Sequence, residues 1–254
     1  MIGIYFSGTG NSKYALDVFL QQYSNSSAIF SIEDESLIEQ INNHEELIFC
    51  YPVQYSTVPK ILRDFVNENS KLWNEKKVFV IATMGLFSGD GAGVLGRLLK
   101  RHGAIITGGL HLKMPDSIAD EKVLKRPLEK NIQLVESANK KIKVAVADIK
   151  RGKYPQEGLG LLYRIAGFGG QRLWFGHKTG NYSSQLKVDA DKCVGCYKCV
   201  KICPTKNIEI KDGKAKGNAK CTMCYRCINQ CPKQAITLLG KKVIEQTSVE
   251  KYLR

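Results

Sequence analysis

Eight of the chain's nine cysteines fall between Cys193 and Cys231, and they spell one pattern twice. The first copy reads Cys193-x2-Cys196-x2-Cys199-x3-Cys203-Pro204. The second, offset by 28 positions, reads Cys221-x2-Cys224-x2-Cys227-x3-Cys231-Pro232. Three thiolates spaced two residues apart wrap a turn of chain around one face of a cubane, and the fourth points away to a neighbouring cluster. The expected ligand sets are therefore Cys193, Cys196, Cys199 and Cys231 for one [4Fe–4S] cluster, and Cys221, Cys224, Cys227 and Cys203 for a second. Pro204 and Pro232 end the loops by fixing φ and removing a donor. Val194, Gly195, Thr222 and Met223, small or uncharged, suit loops whose N–H groups point at sulfur.

Two other uses of cysteine fit less well. Disulfides need an oxidising compartment, and Met1-Ile-Gly-Ile-Tyr-Phe lacks the basic start and long apolar core of a secretory signal. Zinc favours paired Cys-x2-Cys knuckles across a longer spacer, without a third and fourth cysteine at these offsets. With every motif position filled, the stretch resembles the bacterial-type two-cluster ferredoxins. Thiolates committed to oxygen-sensitive clusters imply a reducing, cytoplasmic and anaerobic setting.

The chain is long enough, at 254 residues, for two compact domains. No apolar run approaches the ~20 residues of a membrane span. Charge is divided unevenly. Residues 1–150 hold 18 Lys/Arg against 17 Asp/Glu, whereas residues 151–254 hold 20 against 7. Two oxidised clusters with their thiolates would bring the second part to about +9. Such a surface serves solubility, or docking to redox partner proteins with acidic surfaces. No aromatic–basic readout module points to nucleic acid.

At the N-terminus, Ile2–Phe6 reads as a buried parallel strand. It runs into Ser7-Gly8-Thr9-Gly10-Asn11-Ser12, after which Lys13–Tyr23 has helical spacing. Strand, glycine-and-hydroxyl turn and helix make an anion site: glycines admit the phosphate, and hydroxyls and helix N–H groups donate to it. The run is no Walker A loop, and Lys13 stands where the dinucleotide fingerprint needs its third glycine. The turn resembles the FMN phosphate loop of the flavodoxins, with Ser7, Thr9, Gly10, Asn11 and Ser12 at the phosphate.

Further strands are expected at 28–32, 47–51, 77–83 and 105–114, with helices at 36–41, 60–67, 92–102 and 121–149. That alternation argues an α/β fold, a flavodoxin-like doubly wound five-stranded parallel sheet with its ligand outside the strand carboxyl ends. The resemblance covers residues 1 to about 145. It implies that the loops after strands three and four flank the flavin ring. Pro52 and Val53 lie in the first of these, Tyr51, Tyr55, Met84 and Phe87 are candidates to cover the ring, with a core role the alternative for Tyr51 and Met84 beside their strands, and the backbone of Thr83 to Gly89 is expected at its edge. Gly85 and Gly89 permit the sharp turns there. The lone Cys50, in an apolar run, reads as a buried structural thiol. His44, His102, His111 and His177 are scattered, and none reads as a catalyst.

The expected division is 1–150 for the flavin-binding domain, 151–184 for a connecting segment and 185–254 for a small α+β ferredoxin-like domain. The connecting segment is rich in glycine, with a helix expected at 159–166. Trp174, Phe175 and Tyr182 make it too apolar for a free linker, so it is expected to pack across both domains; a partner-binding or membrane-surface element is the alternative. In the last part Gln185–Val188 precedes the first cluster loop, Ile208–Ala215 reads as a hairpin around Asp212-Gly213, and Ile236–Ile244 as strands turning at Gly240. The whole arrangement resembles the fused flavodoxin–ferredoxin (EFR-type) proteins and implies electron transfer between FMN and two clusters. The function is expected to be that of a low-potential carrier or adaptor. The alternative is a flavoenzyme reducing a small organic or quinone acceptor.

Overall fold

The computed structural model describes residues 1–24, 27–169 and 182–253. Trp174, Phe175 and His177 lie outside the described residues. Five parallel strands, β1 (Ile2–Tyr5), β2 (Ile29–Ser31), β3 (Glu46–Pro52), β4 (Lys77–Met84) and β5 (Ile105–Lys113), form one sheet in the order β2-β1-β3-β4-β5. This is the flavodoxin-like order, which reverses between β1 and β3 and opens a crevice at their carboxyl ends. β3 and β4 are nearly continuous apolar runs because both faces of a parallel sheet are covered. Ile4, Phe49, Tyr51 and Val80 point to one face, under α3 (Lys60–Glu68) and α4 (Gly91–Arg101). Ile48, Cys50, Ile81 and Leu110 point to the other, under α1 (Asn11–Tyr23) and α5 (Leu128–Lys150). The short α2 (Leu37–Asn42) precedes β3. Cys50 is fully buried in this second core, which pushes its thiol pKa up.

The helix expected at 121–149 starts later. Lys122–Leu124 is only a 3-10 turn, and α5 opens at Leu128 behind Pro127, because Arg126, the residue before a proline, is driven out of the α region. Residues 115–125 therefore form one loop, with that 3-10 turn near its end, on the sheet's carboxyl edge. Edge strand β5 is itself covered: Gln156 bridges to Gly109, and the carbonyl of Pro155 accepts from the Gly109 N–H at 2.8 Å. The helix of the connecting segment is α6 (Leu161–Gly167).

Beyond it, β6 (Lys187–Val188) pairs antiparallel with β9 (Ile236–Thr237), and β7 (Ile208–Lys211) with β8 (Lys214–Gly217). The β7–β8 turn puts Asp212 and Gly213 at φ +52° and +74°, the two left-handed residues of a tight hairpin. Short helices α7 (Lys198–Lys201) and α8 (Arg226–Gln230) follow the two cysteine loops. Of the strands expected over 236–244, only β9 forms. The N–H groups of Leu238 and Leu239, which a longer ladder would use, instead donate to the Asp120 carboxylate at 2.7 and 3.0 Å. Gly240, expected at a turn, lies against the Asp120 carbonyl, where a side chain would not fit. The chain then returns to the sheet, and Val249 and Tyr252 are buried beside α1 and α5. No helix among the described residues is long and apolar enough to cross a membrane.

Candidate functional site

A cavity of about 580 Å³ opens at the carboxyl edge of the sheet. At one end is the Ser7–Ser12 turn. Gly10 precedes α1 at φ +92°, a conformation that L side chains resist, and no side chain caps the helix. The helix N-terminus and its partial positive charge therefore face the cavity open to a ligand. Asn11 donates Nδ2 to the Pro115 carbonyl at 2.7 Å, leaving its buried Oδ1 without a partner. Thr9 Oγ1 meets Ser117 Oγ at 3.1 Å, and Ser12 Oγ meets Thr83 Oγ1 at 2.8 Å, which ties the turn to the loop after β5 and to β4.

The expected residues Ser7, Thr9, Asn11, Ser12, Pro52, Val53, Tyr55, Thr83, Met84, Gly85 and Phe87 all line this cavity. Gly10 and Gly89 stand behind it; Gly89, at φ +55°, packs against the backbone of Gly167 at the end of α6. Tyr51 does not reach the cavity. It is fully buried in the core, and its hydroxyl donates to the carbonyl of Gly91. At the other end Tyr55, itself in left-handed backbone at φ +48°, stacks on Tyr182 with centroids 6.1 Å apart. Leu86 and Phe87 form an exposed rim.

Sequence reasoning stopped at the loops after β3 and β4 and missed the loop after β5. Asp116, Ser117 and Ile118 also line the cavity, and the Asp116 carboxyl lies so close to Gly85 that a side chain there would meet it. Burial pushes the Asp116 pKa above its ordinary value, against the nearby Lys125 and Arg126. A Pro-Asp-Ser turn at the end of a parallel strand was the available signal. His111 is no part of the cavity. It is held neutral, its pKa lowered to about 4 by burial, with Nε2 accepting from Ala92 N–H and Nδ1 bonded to Ser88 Oγ.

The eight cysteines of the two motifs line two small cavities, four to each. Cys193, Cys196, Cys199 and Cys231 line one small cavity; Cys203, Cys221, Cys224 and Cys227 line another. Among the described residues no three His, Cys, Asp or Glu side chains are placed to hold a single metal ion. The thiols stand around cavities instead. Backbone N–H groups reach four of the sulfurs: Ala215 to Cys193, Asn207 to Cys203, Met223 to Cys221 and Ala235 to Cys231, at 3.2–3.4 Å. Burial pushes the Cys224 thiol up to about 12, so as a free thiol it stays protonated at neutral pH and needs a cation to become a ligand.

The second cysteine cavity and the large cavity share a wall. Cys224, Tyr225 and Leu238 line both. The sheet domain is fastened to this loop at several points. Gly8 approaches so closely that a Cβ would fall 1.9 Å from the Cys224 carbonyl oxygen. Gln54 Nε2 donates to the Thr222 and Met223 carbonyls at 2.9 and 3.1 Å. Arg226 forks onto Glu33 at 2.9 and 2.7 Å and reaches the Ser7 carbonyl at 2.9 Å. Asp120 accepts from the Tyr225 hydroxyl at 3.0 Å. Residues 157 and 183 reach the sheet and the cysteine loop respectively: Glu157 N–H donates to the Gly109 carbonyl, and the Ser183 carbonyl accepts from Cys221 N–H.

Residues 185–247 match the family model described as a 4Fe-4S dicluster domain. A 28-residue stretch is 54% identical to Ferredoxin-2 of Desulfomicrobium norvegicum; this is 11% of the present chain, and it spans about half (48%) of that relative's length. Among solved structures, the two-electron reduced Megasphaera elsdenii flavodoxin is 19% identical with a TM-score of 0.41, covering 55% of this chain and 99% of its own. Oxidised Flavodoxin 2 of Bacillus cereus is 17% identical with a TM-score of 0.43, covering 59% and 97%. Taken together, the strand order of the sheet and the dicluster match give a flavodoxin-like parallel-sheet fold followed by a stretch, residues 185–247, that is similar to 4Fe-4S dicluster domains.

Proposed function

We propose that this is an electron-transfer protein that holds FMN in the large cavity and one [4Fe–4S] cluster in each four-cysteine cavity. In this reading the flavin-binding unit is 1–150, the connecting segment 151–184 and the ferredoxin-like unit 185–254. The observation that carries it is the shared wall of Cys224, Tyr225 and Leu238, which leaves one residue's thickness between the large cavity and a four-cysteine cavity. The residues fit the groups. The uncapped start of α1 and the hydroxyls of Ser7 and Thr9 suit a phosphate, and the orphaned Asn11 Oδ1, an acceptor, suits a hydroxyl of the polar chain next to it. The Tyr55, Met84 and Phe87 side suits a flat aromatic ring, and the cavity volume lies within the usual range for cofactor sites. When bound, FMN exchanges one or two electrons and each cluster one.

What the chain supplies is position and shelter. Gly8, Gln54, Arg226–Glu33 and Asp120 hold the Cys221–Cys227 loop against the sheet edge. Tyr225 and Leu238 exclude water from the boundary, and the N–H groups at four sulfurs favour negative charge there. A carrier role in a reducing cytoplasm follows. One observation favours the second reading, reduction of a small organic or quinone acceptor: the cavity is walled by both halves of the chain, with Tyr182 and Leu239 facing the sheet loops, instead of presenting a flat edge.

Anaerobic reconstitution of the full chain tests the proposal. We expect about eight iron and eight sulfide per chain and one FMN. Thr9→Glu, which sets a carboxylate in the phosphate cradle, is expected to abolish flavin binding while leaving the iron count unchanged. Iron without flavin in the wild type would overturn the cavity assignment. Turnover of a small quinone faster than electron exchange with protein carriers would favour the second reading.

A further inference from the structure

The two cysteine loops are internal repeats set in unequal surroundings. Tyr197 and Tyr225 each follow the second cysteine of their motif and precede a short helix, in the same left-handed backbone at φ +60° and +61°. Their local folds match, so any difference in exposure comes from what covers them. Tyr225 is 3% exposed, beneath the sheet loops that carry Gly8, Gln54 and Asp120. Tyr197 is 53% exposed and Val194 59%, and Cys196 between them is exposed as well.

The following residue repeats the contrast in charge. Arg226 seals the covered loop by forking onto Glu33. Its counterpart Lys198 is exposed and lines the first cysteine cavity together with exposed Lys233; Lys201, one helical turn on, is exposed too. Among the described residues none of these three lysines makes an ion pair, whereas Lys192 is held by Asp189 at 3.0 Å.

We propose that the Val194–Lys198 face is the docking surface for an acidic redox protein, whose carboxylates meet Lys198, Lys201 and Lys233 as Glu33 meets Arg226 on the covered repeat. An apolar centre of Val194 and Tyr197 inside a cationic rim has the anatomy of a small transient interface, with charge speeding encounter and the apolar centre fixing the pose. The covered loop is a worked instance within the same chain: the same motif, already docked against a surface that supplies the carboxylate.

The inference rests on the cluster assignment, and an iron count on the same protein separates the two. The test uses holoprotein and, as probe, an acidic two-cluster bacterial ferredoxin of net negative charge, with binding measured by calorimetry at low and moderate salt. Wild type is expected to bind at low salt and to weaken as salt rises. Lys198→Glu with Lys233→Glu is expected to weaken binding at least tenfold, with Lys201→Glu alone and Tyr197→Ala each weakening it several-fold, while iron content is kept. Lys140→Glu with Lys143→Glu on α5 makes the same change in net charge and is expected to stay within twofold. Equal weakening by the two charge-reversed pairs, absence of binding at low salt, or self-association of the chain through this face would each overturn the proposal. Holoprotein lacking iron would instead sink the cluster assignment beneath it.

Discussion

At Gly8 the backbones of the two halves of the chain come into contact. Because the atom opposite its missing Cβ is a carbonyl oxygen at 1.9 Å and not a pliable side chain, Gly8→Ala has no cheap relaxation. It is expected to lower stability by about 2–4 kcal/mol and to release flavin and iron together, read as thermal midpoint and cofactor content. Asp120 is a second such point. Asp120→Ala leaves the Tyr225 hydroxyl and the Leu238 and Leu239 N–H groups without their acceptor, and about 3 kcal/mol of destabilisation is expected in a denaturant titration. His111 gives a pH signature. Its folded pKa, about 4, lies below the unfolded value near 6.5, so the unfolded chain takes up the proton first and stability falls as pH drops from 6.5 toward 4. About 1.4 kcal/mol is expected to be lost between pH 7.5 and 5.5, and His111→Gln is expected to flatten that slope. Residues whose chemistry is local were legible in the sequence: eight cysteines at fixed spacing, and a glycine–hydroxyl turn after an apolar strand. Gly8 and Cys224, or Arg226 and Ser7 at 219 positions apart, carry no local signature of their contact.

Among the elements, the parallel strands and α1, α3 and α4 followed from periodicity because burial on both faces leaves long apolar runs. The loop after β5 is longer than the helical look of 121–127 implied. A single proline overrides that look, and the lengthened loop carries Asp116 and Ser117, which line the cavity, and Asp120, which holds Tyr225. β9 stops at two residues because a carboxylate from the other half takes the N–H groups of its continuation. No hydrophobic pattern encodes such an interruption. The closing 3-10 turn Val249–Tyr252 was equally silent, being too short to show a period. Its backbone nonetheless donates from Val249 to the Thr9 carbonyl at 2.9 Å, and Val249 Cγ1 fills the space beside Gly10. Tyr252→Ala is expected to cost about 3 kcal/mol and to raise hydrogen exchange at the start of α1, a change that a purely local defect at residue 252 would not produce.

For the whole molecule, the shared wall implies one folding unit in place of two tethered ones. Holoprotein is expected to melt in a single transition, with visible absorbance and far-UV dichroism lost together; two separated steps would contradict the interface described above. Glu33→Ala, which strands the largely buried Arg226 guanidinium, is expected to destabilise that transition more than Arg226→Met, which removes the charge along with its partner's task. The closing turn also bears on biosynthesis. The Ser7–Ser12 turn leaves the ribosome well before Val249 beside it and the Tyr225–Leu239 wall. A nascent chain therefore carries a half-built pocket until those later residues emerge. On the proposed cofactor assignment, insertion of iron into the later loops becomes a checkpoint that a flavin must wait for, so a chain starved of iron is expected to emerge unable to retain flavin.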